Sequence, residues 1–406
     1  MGVGLRKIRQ KKHWNTFRMI INKAYRYELK PNVNQRIQLA KHAGVARFAF
    51  NWGLKKRIDL YEAEKKSTNS IELHRELNSL KETTFPWMYE VSKCAPQEAL
   101  RDLDCAFRNF FRGLKQGQNI GFPSFKKKGD RDSFRLTGSI KIRGKRVQLP
   151  RLGLISLKEF PKAKGKILSV TVSREADRWY VSLTVEQEIL NPKPVQGETV
   201  GIDVGLTSFA TFSNGSKIIA PKPLHNNLKR LKTASRKHSR KKLGSSNRKK
   251  SALKLARLHR KNRNVRKDFL HKETTKLAKT KSVIVIEDLA VKEMLSNNIL
   301  SRQISDAGWS EFRRMLEYKT KWYGSKLIIA PRYFPSSKIC SHCGNHLKKL
   351  PLSVRKWECE KCHSTHDRDI NAAKNLLNYG TGSSSGNYAC GDTSGGASES
   401  LLAMYR

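Results

Sequence analysis

The chain has 406 residues, with 82 Lys and Arg against 34 Asp and Glu, a formal net charge of +48. An excess of that size needs polyanionic partners, and a nucleic-acid backbone is the densest source of phosphate. No apolar run approaches the about 18 residues of a membrane span, and the basic N-terminus has no apolar core behind it, so neither a spanning segment nor a secretory signal is expected. A cytoplasmic nucleic-acid-binding protein of two or three domains is the expectation.

In chain order, residues 1–18 are basic and patternless, a flexible leader, and Met19 is a candidate alternative start. Ala24–Leu29 reads as a short strand closed by Lys30-Pro31-Asn32. A helix follows with Ile37, Ala40, Val45, Phe48, Trp52 and Leu54 on one broad face. Ile71, Leu73, Leu77 and Leu80 predict a second helix, and Ala99–Phe111 a third, whose Ala106, Phe107, Phe110 and Phe111 are expected in a helical core. From Gly121 to about Glu188 the period shifts towards two, with strands at 141–149, 155–157, 167–172 and 179–185, suggesting a small β-barrel. Asn191–Gly197 reads as a linker. Val200–Val204, Ser208–Ser213 and Lys217–Ala220 then predict successive antiparallel strands, with Asn214-Gly215 as a turn.

Residues 229–267 hold 18 Lys or Arg and no acid, a one-signed run suited to phosphate contact. Within it Leu255 and Leu258, continued by Val265 and Phe269, recur near helical spacing, and Gly244–Asn247 is a candidate hairpin turn. Val283–Ile286 is an apolar, β-branched run, the mark of a buried strand, and it ends on Glu287 and Asp288. Lys326–Pro331 is a further short strand. After about Gly380 the composition turns to Gly, Ser and Asn, and a disordered tail is expected.

Two constellations carry chemistry. Of the seven cysteines, Cys94, Cys105 and Cys390 are scattered, whereas Cys340, Cys343, Cys359 and Cys362 form two C-x-x-C knuckles. Such a set places four thiolates about one zinc ion with no open position, hence a structural site. His342, His346 and His363 are competing ligand candidates. The second is acidic: Asp203 inside one strand, Glu287 ending another, Asp369 opening a helix. Carboxylates on buried strands need a compensating cation. Two Mg²⁺ ions about 4 Å apart would activate water and stabilise a leaving oxygen in phosphodiester cleavage. An RNase H-like arrangement fits that order. Asp288 and Asp367 adjoin the set, and residue chemistry alone does not choose between Asp367 and Asp369.

Several stretches together resemble the TnpB (OrfB) family encoded by bacterial and archaeal insertion sequences, over about residues 19–378. They are Gly201-Ile-Asp203-Val-Gly205, Ile286-Glu-Asp-Leu289, Ile304-Ser-Asp-Ala-Gly-Trp309, Tyr333-Phe-Pro-Ser-Ser337, the paired knuckles and His366-Asp-Arg-Asp-Ile-Asn-Ala-Ala373. The resemblance implies an RNA-guided DNA endonuclease related to type V CRISPR nucleases. It would cut double-stranded DNA beside a short transposon-adjacent motif, one chain per guide RNA transcribed from the element's end. It implies a single RuvC site of Asp203, Glu287 and Asp369, with Mg²⁺ catalytic and one Zn²⁺ structural. Ser92–Gln97 resembles a motif-reading segment, which makes Lys93 and Gln97 DNA-contact candidates.

The implied fold is α+β and multi-domain. It has a leader (1–18), a wedge domain that starts at 19–32 and continues as a β-barrel at 121–190, and a helical recognition lobe (33–120). A RuvC-like nuclease domain (191–335 and 364–380) is split by a zinc ribbon (336–363), and a tail ends the chain (381–406). The rival expectations are a nuclease-dead RNA-guided repressor, whose mark would be a missing acid, and an RNA-independent transposase or DNA-binding protein. All three acids are present.

Overall fold

The computed structural model describes residues 18–118, 120–351 and 353–382. The predicted leader before Arg18 and the predicted tail beyond Gly382, with Cys390, lie outside the described residues. The chain forms two compact units, one of the residues up to Asn191 with Thr233–Arg260, the other of Pro192–Lys232 with the residues from Lys261 onward. Among the described residues no helix is long and apolar enough to cross a membrane.

The first unit joins one sheet to a set of helices. β1 (Arg18–Lys30) is longer than the predicted strand and leads into α1 (Val33–Glu64). The entry to α1 is fixed by a capping box between Asn32 and Gln35, and α2 (Ser70–Thr83) opens the same way on Asn69 and Glu72. A 3₁₀ turn at Pro86–Glu90 precedes α3 (Cys94–Lys115). Pro96 falls in the first turn of α3, where a missing N–H costs nothing, so the helix runs straight through it.

The face that α1 buries matches the predicted one in part. Val45 and Leu54 are buried and Phe48 and Trp52 pack against the core, but Leu39, His42, Ala43, Ala46, Ala49, Phe50 and Gly53 are buried beside them, while Ala40 is exposed and Ile37 is 51% exposed. The helix is seated through small residues that allow close approach. A Cβ on Gly53 would stand 2.6 Å from Leu100 of α3. The α3 aromatics also depart from expectation, because Phe107 and Phe110 are half-buried and Phe111 is exposed.

The remaining strands are β2 (Ser133–Leu136), β3 (Lys141–Arg143), β4 (Arg146–Leu149), β5 (Gly153–Leu157), β6 (Lys166–Glu175) and β7 (Arg178–Leu190). They form a seven-stranded sheet in the order β2-β6-β7-β1-β5-β4-β3. The predicted closed barrel is not formed. Its outer strands, of four and three residues, are the two ends of the sheet and pair only with β6 and β4. β1 pairs along Arg18–Glu28 with β7 and then crosses to β5 at Leu29. Val170, Val172, Val181, Leu183 and Val185 project from the sheet into one core with the α1 and α3 residues.

The second unit is built on a five-stranded sheet in the order β10-β9-β8-β11-β12. These are β8 (Thr199–Val204), β9 (Ala210–Phe212), β10 (Lys217–Ile218), β11 (Val283–Glu287) and β12 (Lys326–Ala330). The turn at Gly215, with φ +84°, joins β9 to β10. β8, β11 and β12 are parallel neighbours, and central β11 packs apolar side chains on both faces, which is why 283–286 reads as a continuous apolar run.

The helices between the strands are α4 (Pro223–Asn226), α5 (Leu228–Ser239), α6 (Ser246–Thr280), α7 (Val291–Met294), α8 (Ser301–Ala307) and α9 (Trp309–Tyr323). The division between the units falls inside α5 and α6, which carry the basic run. Gly244 and its neighbours link these two helices rather than two strands. A two-stranded ribbon of β13 (Lys356–Glu358) and β14 (Thr365–Asp367) precedes the last helix, α10 (Arg368–Thr381).

Candidate active site and metal centre

Parallel pairing sets Ile286 of β11 opposite Ile202 of β8, so the next residues, Glu287 and Asp203, lie level at the same end of the sheet. On neighbouring parallel strands, level residues project to the same face. Helix α10 crosses β8 on that face. The crossing is close because residue 201 is glycine: a Cβ there would lie 2.0 Å from the Ala373 carbonyl oxygen and 2.5 Å from the Leu377 nitrogen. This puts the first turn of α10, with Asp369, beside the two strand acids.

Electrostatics record the convergence. Burial pushes the Asp203 carboxyl well above its ordinary range, and the charges of Glu287 and then Asp369 push it further, against Arg368 and Arg355. Burial likewise raises Glu287, opposed by a hydrogen bond that the Ser336 hydroxyl donates to its Oε1. Asp369 accepts a hydrogen bond from Arg355 Nη1 at 3.3 Å.

The neighbouring acids have other employment. Asp367 is the N-cap of α10, its Oδ1 accepting from the amides of Asp369 (3.0 Å) and Ile370 (3.1 Å), and Lys217 Nζ reaches its Oδ2 at 3.3 Å. Asp288 pairs with Arg313 and with Arg332, the latter at 3.4 Å. Both are neutralised by cations of the chain itself, unlike Asp203.

The four knuckle cysteines converge: the Sγ atoms of Cys340, Cys343, Cys359 and Cys362 all lie within 4.8 Å of one another. Cys340 and Cys362 sulfurs are 3.6 Å apart, as are those of Cys343 and Cys359. Four thiolates around zinc at Zn–S about 2.3 Å would have edges of about 3.8 Å, so the cluster fits a tetrahedral d¹⁰ cation. Burial pushes the Cys340 thiol up to about 12, a cost that a bound cation would reverse. Of the histidines, His366 lies against the cluster with its Nε2 3.1 Å from Cys340 Sγ, and His342 makes a side-chain hydrogen bond with Cys362.

Sequence reasoning passed over the residues that brace the acids. Asn371 and Asn375 of α10 are buried and clamp the segment leading into the first knuckle. Asn375 Nδ2 donates to the carbonyls of Ser336 (2.7 Å) and Ile339 (2.6 Å). Asn371 donates to Ile339 O at 2.7 Å and accepts from the Ser341 amide at 2.9 Å. Their four-residue spacing puts both amides on one helix face, and Asn371 and Ser336 lie within stretches that carry the family resemblance, though without a role of their own. Arg355 carried no mark. Lys93, exposed, and Gln97, half-buried, stand at the start of α3 in the other unit.

Residues 179–298 match the OrfB_IS605 family model, described as "Probable transposase". Residues 309–376 match "Cas12f1-like, TNB domain", a span running from α9 through the cysteine cluster into α10. Residues 19–66 match "Helix-turn-helix domain", although here they fold as β1 and the single long helix α1. A relative from Streptomyces pristinaespiralis, named "Putative RNA-guided DNA endonuclease", is 40% identical over 380 residues, covering 92% of each chain. The Escherichia coli K12 protein "Putative RNA-guided DNA endonuclease InsQ" is 33% identical over 375 residues, 88% of this chain and 92% of that one. Among solved structures, the Cas12f1 chain of a complex with sgRNA and target DNA superposes with a TM-score of 0.51 at 18% identity. It covers 85% of this chain and 83% of its own, which is a likeness of fold.

Proposed function

The chain belongs to the TnpB (OrfB) family, and from that membership we propose that it is an RNA-guided DNA endonuclease of a transposable element, cutting at Asp203, Glu287 and Asp369. One observation carries the choice of residues. Three carboxyls from β8, β11 and α10 lie close enough for two of them to raise the third, with too few cations of the chain nearby to balance them. A cluster held together against its own repulsion is a cation site before it is anything else.

Mg²⁺ held by these carboxylates would offset the charge that develops on the attacking and leaving oxygens of a phosphodiester. The chain's own residues fix the ligands. Ser336 holds the Glu287 carboxylate in one orientation, Asp367 and Arg355 hold Asp369, and the sheet holds Asp203. Arg355 and Arg368 stand near enough to Asp203 to favour its charged form, and there they would meet the anionic strand. The four cysteines take one structural Zn²⁺, since four thiolates leave no position for substrate.

The partners are a guide RNA from the element's end and double-stranded target DNA, one chain per guide. Base pairing selects the target, and the protein reads helix shape with a short flanking motif through Lys93 and Gln97. The net charge of +48 supplies the phosphate affinity this needs.

The test is Asp203→Asn in the guided complex, which keeps the side chain's volume and removes its charge. Cutting of a matched target should fall to background while guide and target binding persist. Undiminished cutting would remove Asp203 from the site. Cutting by the native protein that survives RNase treatment would transfer the activity to an RNA-independent nuclease or transposase.

A further inference from the structure

The sheet that carries the acids has a second opening at the same end. Val204 and Glu287 are the last residues of β8 and β11, and ligands of open α/β sheets bind outside the carboxyl ends of the strands. Successive strand residues face opposite ways. Val285 packs with Leu376 of α10, whereas Ile202 and Ile286 pack with Trp309 and Phe312 of α9. On the α9 side a cavity of about 260 Å³ remains, walled by Val204, Ile286, Leu289, Val291 and Phe312 and bounded by Glu287. Glu287 thus borders both the acid cluster and the cavity.

Size, polarity and charge define what the cavity accepts. An apolar cavity of about 150 Å³ already admits benzene, so this one has room for a larger heterocycle. Trp309 lines it and is 5% exposed, yet the indole Nε1–H is buried without an acceptor among the described residues. Buried donors are nearly always satisfied, and a ligand with an acceptor on its ring would satisfy this one. The cations at the rim are already engaged. Arg313 pairs with Asp288 and, at 3.1 Å, with Glu317, and Arg314 pairs with Glu311 at 3.2 Å. A phosphate would therefore meet paired arginines, whereas a neutral planar group meets apolar walls and one N–H. Every nucleobase is a planar group that carries such an acceptor.

We propose that this cavity takes the nucleobase next to the scissile phosphate of the DNA strand being cut, turned out of its stack and held by the Trp309 N–H. The proposal deepens the endonuclease reading above and rests on it. The cavity wall fixes the source. Because Glu287 belongs to the cutting site, the base beside it is continuous with the strand lying on the acids, and that strand is substrate DNA. A base still paired in a duplex cannot enter, so the site acts on a strand already opened. Seating the base holds its neighbouring phosphate in register on the acids, which is where a misplacement of about 1 Å is most costly. An acceptor is common to all four bases, so the pocket positions the strand without reading its sequence.

The test is an abasic scan of a matched target cut by the native guided complex under single-turnover conditions. An abasic nucleotide at one position beside the scissile bond should slow cutting of that strand about tenfold, with target binding unchanged. Val291→Phe fills the cavity. It should keep the melting temperature, slow cutting of intact DNA about tenfold and abolish the further effect of the abasic site, the non-additivity expected of two changes at one contact. In the Asp203→Asn complex with uncut target, 5-iododeoxyuridine at the same position should crosslink to the peptide bearing Trp309. Should Val291→Phe fail to fold, the scan and the crosslink decide.

Native cutting indifferent to every abasic site beside the cut, or an abasic effect of full size in Val291→Phe, would overturn this proposal and leave the guided reading standing. So would iododeoxyuridine crosslinks that all fall outside 286–317. A Val291→Phe protein that melts higher and cuts at the native rate would make the cavity a packing void. Absence of guide-dependent cutting by the native protein would remove the reading on which the proposal rests.

Discussion

A single methyl group at position 201 should damage catalysis out of proportion to its effect on the fold. The Cβ of Gly201→Ala would stand 2.0 Å from the Ala373 carbonyl oxygen, against 3.4 Å for an ordinary contact, so α10 must retreat by about 1.4 Å or β8 must bend. The obstructing atoms are backbone, and no rotamer change relieves them. Overpacking of this size costs about 1–3 kcal/mol, a burden that a domain stable by about 5–15 kcal/mol survives. The retreat carries Asp369 away from Asp203 and Glu287, and misplacement by about 1 Å can cost about a hundredfold in rate. Single-turnover cleavage by the guided complex at saturating Mg²⁺ should therefore fall about a hundredfold, with guide binding, zinc content and most thermal stability kept. Gly205→Ala is the control, since its Cβ would meet only the Ser208 carbonyl, at 3.1 Å. Cleavage within about threefold of native by a Gly201→Ala protein of native stability would refute the claim that this crossing sets the spacing of the acids.

Three further outcomes are expected. Cys359→Ser, or removal of metal by a chelator, should lower the melting temperature and abolish cutting, with zinc restoring the chelated protein. One zinc per chain and full activity in the variant would contradict a structural role for the cluster. Ser336→Ala removes the hydrogen bond that favours ionised Glu287, so cutting at neutral pH should fall about tenfold and the acid limb of the pH–rate profile should move to higher pH. An unmoved limb would separate Ser336 from Glu287. His42 is buried, accepts from the Ser92 amide at 3.0 Å and bonds the Gln38 carbonyl at 2.8 Å, and burial depresses its pKa. Its stabilisation is complete above the unfolded value of about 6.5 and is lost as pH falls towards the depressed one. The stability advantage of the native chain over His42→Gln, from thermal melts, should shrink on acidification below about 6.5. A pH-independent difference would refute this.

What the sequence revealed follows from which forces leave a periodic trace. A strand buried on both faces must be apolar throughout, so 283–286 was legible, as was the convergence of four thiols coded by cysteine spacing. The buried face of α1 was legible only in part: Val45 and Leu54 were, whereas Ala43, Ala46, Ala49, Gly53 and His42 are there for small size or hydrogen bonding rather than hydropathy. The α3 phenylalanines misled in the opposite direction, Phe111 being exposed and Phe107 and Phe110 only half-buried. Alternation identified the strands of the large sheet but had no bearing on closure, which depends on whether the outermost strands pair. Asn371 and Asn375 drew no role from the sequence because their partners are backbone carbonyls of a distant loop.

Those two asparagines also explain how the cysteine cluster and the acid cluster are connected. Asp369 and the asparagine pair stand on the same helix, while Ser336, which steadies Glu287, is held through its own carbonyl by Asn375. The segment from Ser336 to Ser341 enters the first cysteine knuckle, and the residues after the second knuckle form the cap of α10. A displacement of α10 is thus passed to Glu287 as well as to Asp369, and the cysteine cluster restrains both ends of the connection. Asp203 depends on none of this, and the backbone of Glu287 is held by the same sheet, its strand pairing with β8 and β12. We therefore expect the position of α10 on β8 to govern how Asp369, and through Ser336 the Glu287 carboxyl, stands toward Asp203.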